Sequence, residues 1–299
     1  MPYDSLLDRE PTGFSIEITP SAARKVPSFA AVLPADTPVY VTNLPGTDVC
    51  EAMGVCRRLR DEGMRPVPHL AARGLKSRGD LAVWLDRAVG EGGVREILLI
   101  AGSGERAAGP FPDTLAVLDS GLLETAGLRG FGVAGHPEGH PNAGPAVLAD
   151  ALRRKQAFAA AHGFDAWIVT QFTFSAAPVL RWAETMADAG VTLPIRVGLP
   201  GPAKPATLIN YARQCGVGAS LRVLTRQPDV MTGLVRSWTP DTILADLTRQ
   251  GLWAGRGHFA GVHLFPFGGF AKAATWATES AGRTVYPGLN ADGEAVGLT

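Results

Sequence analysis

The chain has 299 residues, 46% hydrophobic and 19% charged, a composition that suits a globular protein with a full hydrophobic core. Its 28 basic and 28 acidic residues balance, so the net charge gives no sign of a nucleic-acid-binding or membrane-surface protein. Cys50, Cys56 and Cys215 fit neither a disulfide framework nor a cysteine-based zinc site, and no signal peptide or membrane span is visible, so we expect a soluble cytoplasmic protein.

Eight short apolar runs bounded by turn residues are predicted to be strands. In chain order they cover residues 14–18, 39–42, 66–70, 96–100, 130–134, 166–172, 195–199 and 260–265. Apolar residues spaced three or four apart predict helices between them, at 49–62, 81–90, 145–162, 176–189 and 206–215. This alternation indicates parallel strands joined by right-handed crossovers, and eight such units predict a single (β/α)8 TIM barrel over residues 1–299.

Two segments are expected in addition to the eight strand and helix units of the barrel. The longest gap lies between the seventh and eighth strands, where Thr239 and Pro240 are typical of a helix start and Gly251 of a helix end. We therefore predict a helical insertion before the last strand. From about residue 283 the chain is expected to form a C-terminal extension.

A loop with two histidines follows the fifth predicted strand. His136 and His140 have the spacing that would place both imidazoles on one helix face, as in a zinc hydrolase, but Pro137, Gly139 and Pro141 disfavour a helix. The pattern predicts a rigid loop, which in an α/β fold is a usual place for ligand-binding residues. A turn without a functional role is the alternative.

In a TIM barrel the functional groups lie at the carboxyl ends of the strands, so polar residues there are the first candidates. Glu17 alternates with Ile16 and Ile18 and would face the opposite side of its strand, where a carboxyl group could donate a proton. A solvated strand end is the alternative for Glu17, and a hydrogen-bonded structural role is the alternative for His69.

The sixth strand ends in an amide and two aromatic residues. Gln171 carries the donors and acceptor that suit the amide edge of a heterocycle, and Phe172 and Phe174 offer apolar surface. Ordinary strand packing is the alternative. After the fourth strand, the glycine-rich segment 101–104 would let a ligand approach the backbone, but it lacks the full dinucleotide-binding fingerprint.

Together these segments resemble the methylenetetrahydrofolate reductase family, whose members are FAD-binding TIM barrels that reduce methylenetetrahydrofolate to methyltetrahydrofolate with NAD(P)H. The most specific matches are AGHPEGHP at 134–141 and VTQFTF at 169–174. Supporting matches are FSIE at 14–17, VT at 41–42 and PHL at 68–70. The resemblance extends over most of the chain.

The resemblance implies roles for individual residues. Glu17 would be the general acid that opens the five-membered ring of the folate, and Gln171 with Phe172 would bind the substrate. The positions that would contact FAD are Thr42, His69, Gly102, Ser103, His136, His140, Asp150 and Lys155.

The chain departs from the family pattern after the fourth strand. Ala101, Gly102 and Ser103 stand where the family usually has Arg-Gly-Asp, which removes a cation near the flavin and an acid near the folate. Loss of that arginine is expected to cost about 1.5–3 kcal/mol of cofactor binding, so FAD would bind weakly. A protonated His136 and the carboxylate of Glu105 are candidate replacements.

Three other functions remain open from the sequence. The same fold could mainly catalyse the oxidation of methyltetrahydrofolate, or work without tightly bound flavin. A metal-dependent hydrolase would use His69, His136 and His140 as ligands and Glu138 as base. A non-catalytic folate-binding protein is the third possibility. The sequence fixes neither the choice between NADH and NADPH nor the number of subunits in a possible homo-oligomer.

Overall fold

A computed structural model describes residues 13–43, 48–102, 106–214, 238–249 and 258–284. Eight parallel strands form a closed barrel in which each strand pairs with its neighbours in sequence and β8 pairs with β1. The strands are β1 Phe14–Ile18, β2 Pro38–Val41, β3 Arg65–Ala71, β4 Glu96–Ile100, β5 Gly130–Gly135, β6 Asp165–Phe172, β7 Ile195–Pro200 and β8 Phe259–Phe265. The predicted (β/α)8 TIM barrel is confirmed.

Helices alternate with the strands. They are α1 Pro20–Ala23, α2 Val49–Asp61, α3 Arg78–Gly90, α4 Thr114–Leu118, α5 Pro145–His162, α6 Ala176–Asp188, α7 Pro205–Gln214, α8 Asp241–Arg249 and α9 Phe270–Thr284, with a short 3-10 turn at Ala72–Gly74. Side-chain caps begin several of them. The Ser77 hydroxyl, for example, accepts from the backbone N–H of Asp80 and starts α3 three residues before the predicted position.

The main differences from prediction are short or alanine-rich helices. Helices α1 and α4, with 4 and 5 residues, are too short to be predicted from the sequence, because a single turn has no measurable hydrophobic period. Helix α9 was not predicted either, because after Phe270 its buried stripe consists of the small residues Ala273, Ala274 and Ala277. Most of the predicted extension from about residue 283 lies outside the described residues, although α9 itself runs to Thr284.

The helical insertion before the last strand is present. Both α7 and α8 lie between β7 and β8, and Thr239 and Pro240 directly precede α8. Cys215 and the predicted helix end at Gly251 lie outside the described residues. No helix in the described part of the chain is long and apolar enough to cross a membrane.

The barrel separates two apolar clusters. The larger one fills the layer between strands and helices, whereas the smaller one lies in the lumen and comprises Tyr40, Val67, Leu98, Trp167 and Val169. The Trp167 indole N–H donates to the Tyr40 hydroxyl over 2.8 Å, which satisfies both buried polar groups. These large side chains close the middle of the barrel, so a ligand would enter from the carboxyl ends of the strands.

Candidate functional site

Three ionisable side chains meet in the lumen near the carboxyl ends of their strands. Strand pairing aligns Glu17 with Tyr40, His69 with Leu98, and His263 with Ser15, so all three point inward. The Oε1 atom of Glu17 lies 3.4 Å from His69 Nε2 and 3.6 Å from His263 Nε2. We call Glu17, His69 and His263 the lumen triad.

The lumen triad is nearly dry. The side chains of His69 and His263 are 8% and 0% exposed, and that of Glu17 is 15% exposed. Neither Nε2 atom has a hydrogen-bond partner among the described residues. Both Glu17 distances are slightly too long for a hydrogen bond, so a small rotation of Glu17 would let it bond to either imidazole.

Ser15 controls which nitrogen of His263 carries the proton. Its Oγ lies 2.9 Å from His263 Nδ1 and 3.5 Å from the carbonyl oxygen of Val262. If Ser15 donates to Nδ1, the proton of a neutral His263 sits on Nε2 and faces a Glu17 carboxylate. If Ser15 donates to Val262, Nδ1 donates to Ser15 and Nε2 can accept a hydrogen bond from a protonated Glu17 carboxyl group. The pair therefore accommodates both protonation states of Glu17 without placing a charge on His263.

Burial keeps His69 neutral near pH 7. Desolvation is the largest cause and lowers the pKa of His69 from 6.5 to about 4, while the nearby carboxylate of Glu17 acts in the opposite direction and His263 lowers the pKa further. A neutral imidazole beside Glu17 can donate or accept one hydrogen bond, so His69 orients the carboxyl group without forming a permanent ion pair.

Aromatic side chains form a wall between the lumen triad and the carboxyl ends of β6 and β8. The ring of Phe265 lies 4.9 Å from His263 and 5.6 Å from Phe172, measured between ring centroids. Phe172 is 2% exposed and also packs against Phe174 and Phe267. The Phe172 ring therefore supports this wall, and its predicted contact with a substrate stays a prediction.

Two other predicted residues lie near the strand ends. Gln171 is half-buried next to a register shift between β6 and β7, where the Thr170 hydroxyl accepts from the backbone N–H of Gly198. Thr42 follows β2 and is anchored to β1, because its backbone N–H donates to the carbonyl oxygen of Ile18 over 3.0 Å. The predicted contacts of Gln171 with substrate and of Thr42 with FAD stay predictions.

A second region lies beside the lumen, between the carboxyl ends of β4 and β5 and the helices α4 and α5. It is a cleft of about 380 Å³, which we call the rim cleft. Four residues that the sequence analysis assigned to cofactor binding line it, namely His136, His140, Asp150 and Lys155. Ile100 lines the rim cleft and also packs against the apolar cluster of the lumen, so the two regions adjoin.

The histidine loop forms one side of the rim cleft. The prediction of a non-helical loop is confirmed. The ring centroids of His136 and His140 lie 4.9 Å apart, and the angle between the ring planes is 51°. Gly139 has a φ of +91°, a backbone conformation that favours glycine, and His140 Nδ1 accepts from the backbone N–H of Asn142 over 3.2 Å. The conformation of His140 is thus fixed by its own loop.

His136 is not the cation that the sequence analysis considered. Burial is the main cause that lowers its pKa from 6.5 to about 4, with further lowering by His140 and Lys155. His136 is therefore neutral at pH 7 and does not replace the missing arginine charge, so that expectation is wrong. Its buried Nδ1 atom has no hydrogen-bond partner among the described residues. Because His136 lines the rim cleft, a ligand bound there could supply one.

Lys155 provides the buried positive charge of the rim cleft. It is 8% exposed, and burial lowers its pKa from 10.5 to about 8, partly offset by the carboxylate of Asp113. Asp150, one turn earlier on α5, is exposed and accepts from Arg153 over 2.9 Å. Lys155 therefore remains mostly protonated at pH 7 at a free-energy cost, which an anionic ligand would offset.

The glycine-rich segment after β4 is only partly described. Gly102 has a φ of +89°, and an added Cβ would lie 3.3 Å from the Cβ of Ala71, so a larger residue would be strained there. Ser103 and Glu105 lie outside the described residues. Their predicted roles stay predictions.

The geometry does not favour the metal-dependent hydrolase. His69 lies in the lumen with Glu17, whereas His136 and His140 line the rim cleft. Within the described ranges, no group of three or more His, Cys, Asp or Glu side chains could hold a metal ion. The three proposed histidine ligands therefore do not form one metal centre.

Sequence reasoning did not identify Ser15, Tyr40 or His263 as parts of the site. His263 lies two residues before the end of β8, so its position near a strand end is the sequence signal that identifies it. Ser15 lies two residues before Glu17 and so shares its face of β1. Tyr40 was read as an ordinary apolar strand residue, although its ring packs 4.5 Å from His263.

Acid should destabilise the fold through His69 and His136. Both have folded-state pKa values of about 4 against 6.5 when unfolded, so the unfolded chain binds more protons between these values. The free energy of unfolding should therefore fall as the pH falls from 6.5 to 4. Urea unfolding followed across this range should show a shallower fall for His69→Gln than for the unchanged protein. The exposed control His162→Gln should parallel the unchanged protein, and equal slopes for all three would contradict the assignment.

Comparison with known proteins gives no family for this chain. The chain matches no protein-family model. A conserved protein of unknown function from a locus in Enterococcus faecalis aligns over 90% of this chain and 65% of its own length, with 9% identity and a TM-score of 0.48. Dihydropyrimidinase from Brevibacillus agri aligns over 63% of this chain and 46% of its own length, with 11% identity and a TM-score of 0.36. The TIM-barrel assignment rests on the closed eight-stranded barrel of the described residues, and the comparisons add no family to it.

Proposed function

We propose that the protein is a flavin-dependent oxidoreductase of the methylenetetrahydrofolate reductase type, which transfers hydride between NAD(P)H and the one-carbon unit of tetrahydrofolate. One observation carries the proposal: a carboxyl group held between two imidazoles in the lumen adjoins a cleft lined by His136, His140, Asp150 and Lys155. All of these residues except His263 are positions to which the sequence resemblance assigns a role.

The chemistry of the rim cleft fits FAD. Lys155 offers a buried cation for a phosphate or a flavin carbonyl oxygen, and the unpartnered Nδ1 of His136 offers a further polar contact. Leu148, Ala151 and Trp182 supply apolar wall for a flat ring system. FAD, when bound, would supply the hydride chemistry that no side chain of this protein can perform.

Glu17 would supply the proton. The lumen triad suits a group that must hold a proton and then release it, because His263 and Ser15 can stabilise either state of the carboxyl group. The proton would go to the folate nitrogen that leaves when the five-membered ring opens. Since His69 and His263 are almost fully buried, little water would compete for Glu17.

Orientation of the folate would depend on the amide of Gln171 and on the aromatic wall. Gln171 can both donate to and accept from the edge of a pterin ring. The wall that contains Phe172 and Phe265 lies next to His263 and would exclude water from the reacting groups. Gln171 and the aromatic wall would thus accelerate the reaction by holding the substrate in the correct position relative to Glu17.

Flavin titration of the purified protein tests the proposal. We expect an absorbance or fluorescence change that saturates with FAD, bleaching of the bound flavin by NADH or NADPH without oxygen, and its reoxidation by methylenetetrahydrofolate. Because the Arg-Gly-Asp residues are replaced, affinity in the micromolar range is expected. Bleaching by methyltetrahydrofolate would indicate that the reverse reaction is efficient. No saturable FAD binding, or bound flavin inert to both nicotinamide and folate, would exclude this function.

A further inference from the structure

A second cleft lies at the opposite end of the barrel, below the amino ends of β3, β4 and β5. It has a volume of about 370 Å³, and we call it the base cleft. Four arginines and two acidic residues line it, namely Arg60, Arg65, Arg95, Arg129, Asp36 and Glu96. The lining residues themselves carry an excess of two positive charges, which the pairing of Arg60 with Asp61 reduces to one, in a protein whose overall charge is zero.

Both acidic residues of the base cleft are engaged by one arginine. Arg65, the first residue of β3, lies 3.3 Å from a carboxylate oxygen of Asp36 and 3.6 Å from one of Glu96. Its Nε also donates to the carbonyl oxygen of Asp36 over 3.1 Å. The charge of Arg65 is thus used in contacts within the protein, and the excess positive charge of the cleft lies on Arg95 and Arg129.

Arg95 and Arg129 are adjacent and lack an acidic partner within the described residues. Each directly precedes a strand, β4 and β5 respectively, and the backbone N–H of Arg129 donates to the carbonyl oxygen of Arg95 over 2.7 Å. The Arg95 guanidinium donates to the carbonyl oxygen of Gly127 over 3.3 Å. Like charges on neighbouring strands repel, so an anion between them would remove an unfavourable interaction.

Arg60 reaches the same cleft because Gly93 leaves space for it. Gly93 has a φ of +66°, and a Cβ at this position would lie 2.4 Å from Arg60 Nη1. The Arg60 side chain is fixed there by two bonds to Asp61, at 3.0 and 2.7 Å. A third guanidinium therefore lines the cleft in a defined place.

We propose that the base cleft binds a small phosphate-bearing anion. Guanidinium groups form paired charge-assisted hydrogen bonds with phosphate oxygens, and a 370 Å³ cleft is large enough for a small phosphorylated metabolite. Catalytic residues in TIM barrels lie at the other end, so this ligand acts as a stabilising or regulatory anion instead of a substrate. The inference is independent of the proposed flavin chemistry.

Calorimetric titration with pyrophosphate, at constant ionic strength, tests the proposal. We expect saturable binding that weakens tenfold or more in the double variant Arg95→Gln with Arg129→Gln. Arg78→Gln, which changes an exposed arginine at the start of α3, should bind pyrophosphate as the unchanged protein does. The double variant should also be at least as stable without ligand, because repulsion between the two arginines is removed.

Three binding results would overturn the proposal. They are the absence of saturable pyrophosphate binding, equal binding by the double variant, and equal competition by chloride at the same ionic strength. A clear loss of stability in the double variant without ligand would also contradict it, since that would assign the two arginines to the structure instead of to a ligand.

Discussion

Replacing Glu17 with Gln is expected to slow the reaction with folate by roughly 10²–10⁴-fold while leaving reduction of bound flavin by NAD(P)H within about threefold of the unchanged rate. The amide keeps the size of the side chain and its ability to bond to His69 and His263, but it cannot transfer a proton. Anaerobic stopped-flow measurements of the two half-reactions would separate these effects.

Glu184→Gln is the matched control for this prediction. Glu184 is exposed on α6, so the same chemical change there should alter neither half-reaction. Equal slowing of both half-reactions by Glu17→Gln would indicate a general disturbance of the barrel. An unchanged folate rate would remove Glu17 from the chemistry altogether.

His263 should influence the same step through Glu17. His263→Phe keeps an aromatic ring next to Tyr40 but removes the nitrogen that faces Glu17, so we expect a smaller loss in the folate half-reaction together with a displaced pH profile. A purely structural role would lower stability and leave the shape of the pH profile unchanged. Thermal unfolding and the pH dependence of the single-turnover rate distinguish the two roles.

Much of the fold follows from local sequence patterns. Each barrel strand is a short apolar run between turn residues, and all eight were placed within two residues of their observed bounds because such runs are too short for helices. Helices with few large apolar residues were missed, as α9 shows, since alanine contributes little to a hydrophobic period. Barrel closure followed from the number of strand and helix units, without any information on individual contacts.

Fewer features of the candidate site than of the fold could be predicted from the sequence. Glu17 and His69 could be chosen because strand ends in a barrel converge, but their partner His263 is nearly 200 residues further along the chain than His69 and meets them only when β8 pairs with β1. The charge state of His136 was also out of reach, because it depends on burial and on the neighbouring Lys155. Convergence of strand ends is a topological rule, whereas protonation depends on the three-dimensional surroundings.

Replacing Lys155 with Met should change stability and cofactor affinity in opposite directions. Without ligand, the variant loses a buried charge whose pKa is lowered from 10.5 to about 8, and it should be more stable at pH 7 by about 1–3 kcal/mol. With FAD, it lacks the cation of the rim cleft, so the dissociation constant should rise roughly 10–100-fold. Denaturant unfolding and flavin titration of the same preparation measure both effects.

The pH dependence gives this prediction a defined sign. Between pH 8 and 10.5 the unfolded chain holds the Lys155 proton more tightly than the folded protein, so the stability of the unchanged protein rises across this range. The advantage of Lys155→Met should therefore be largest at pH 7 and shrink as the pH approaches 10.5. Lys272→Met, the same substitution at an exposed position on α9, should alter neither property. If Lys155→Met lowered stability and left FAD affinity unchanged, Lys155 would be a structural residue, and the rim cleft would lose its main reason to bind a flavin.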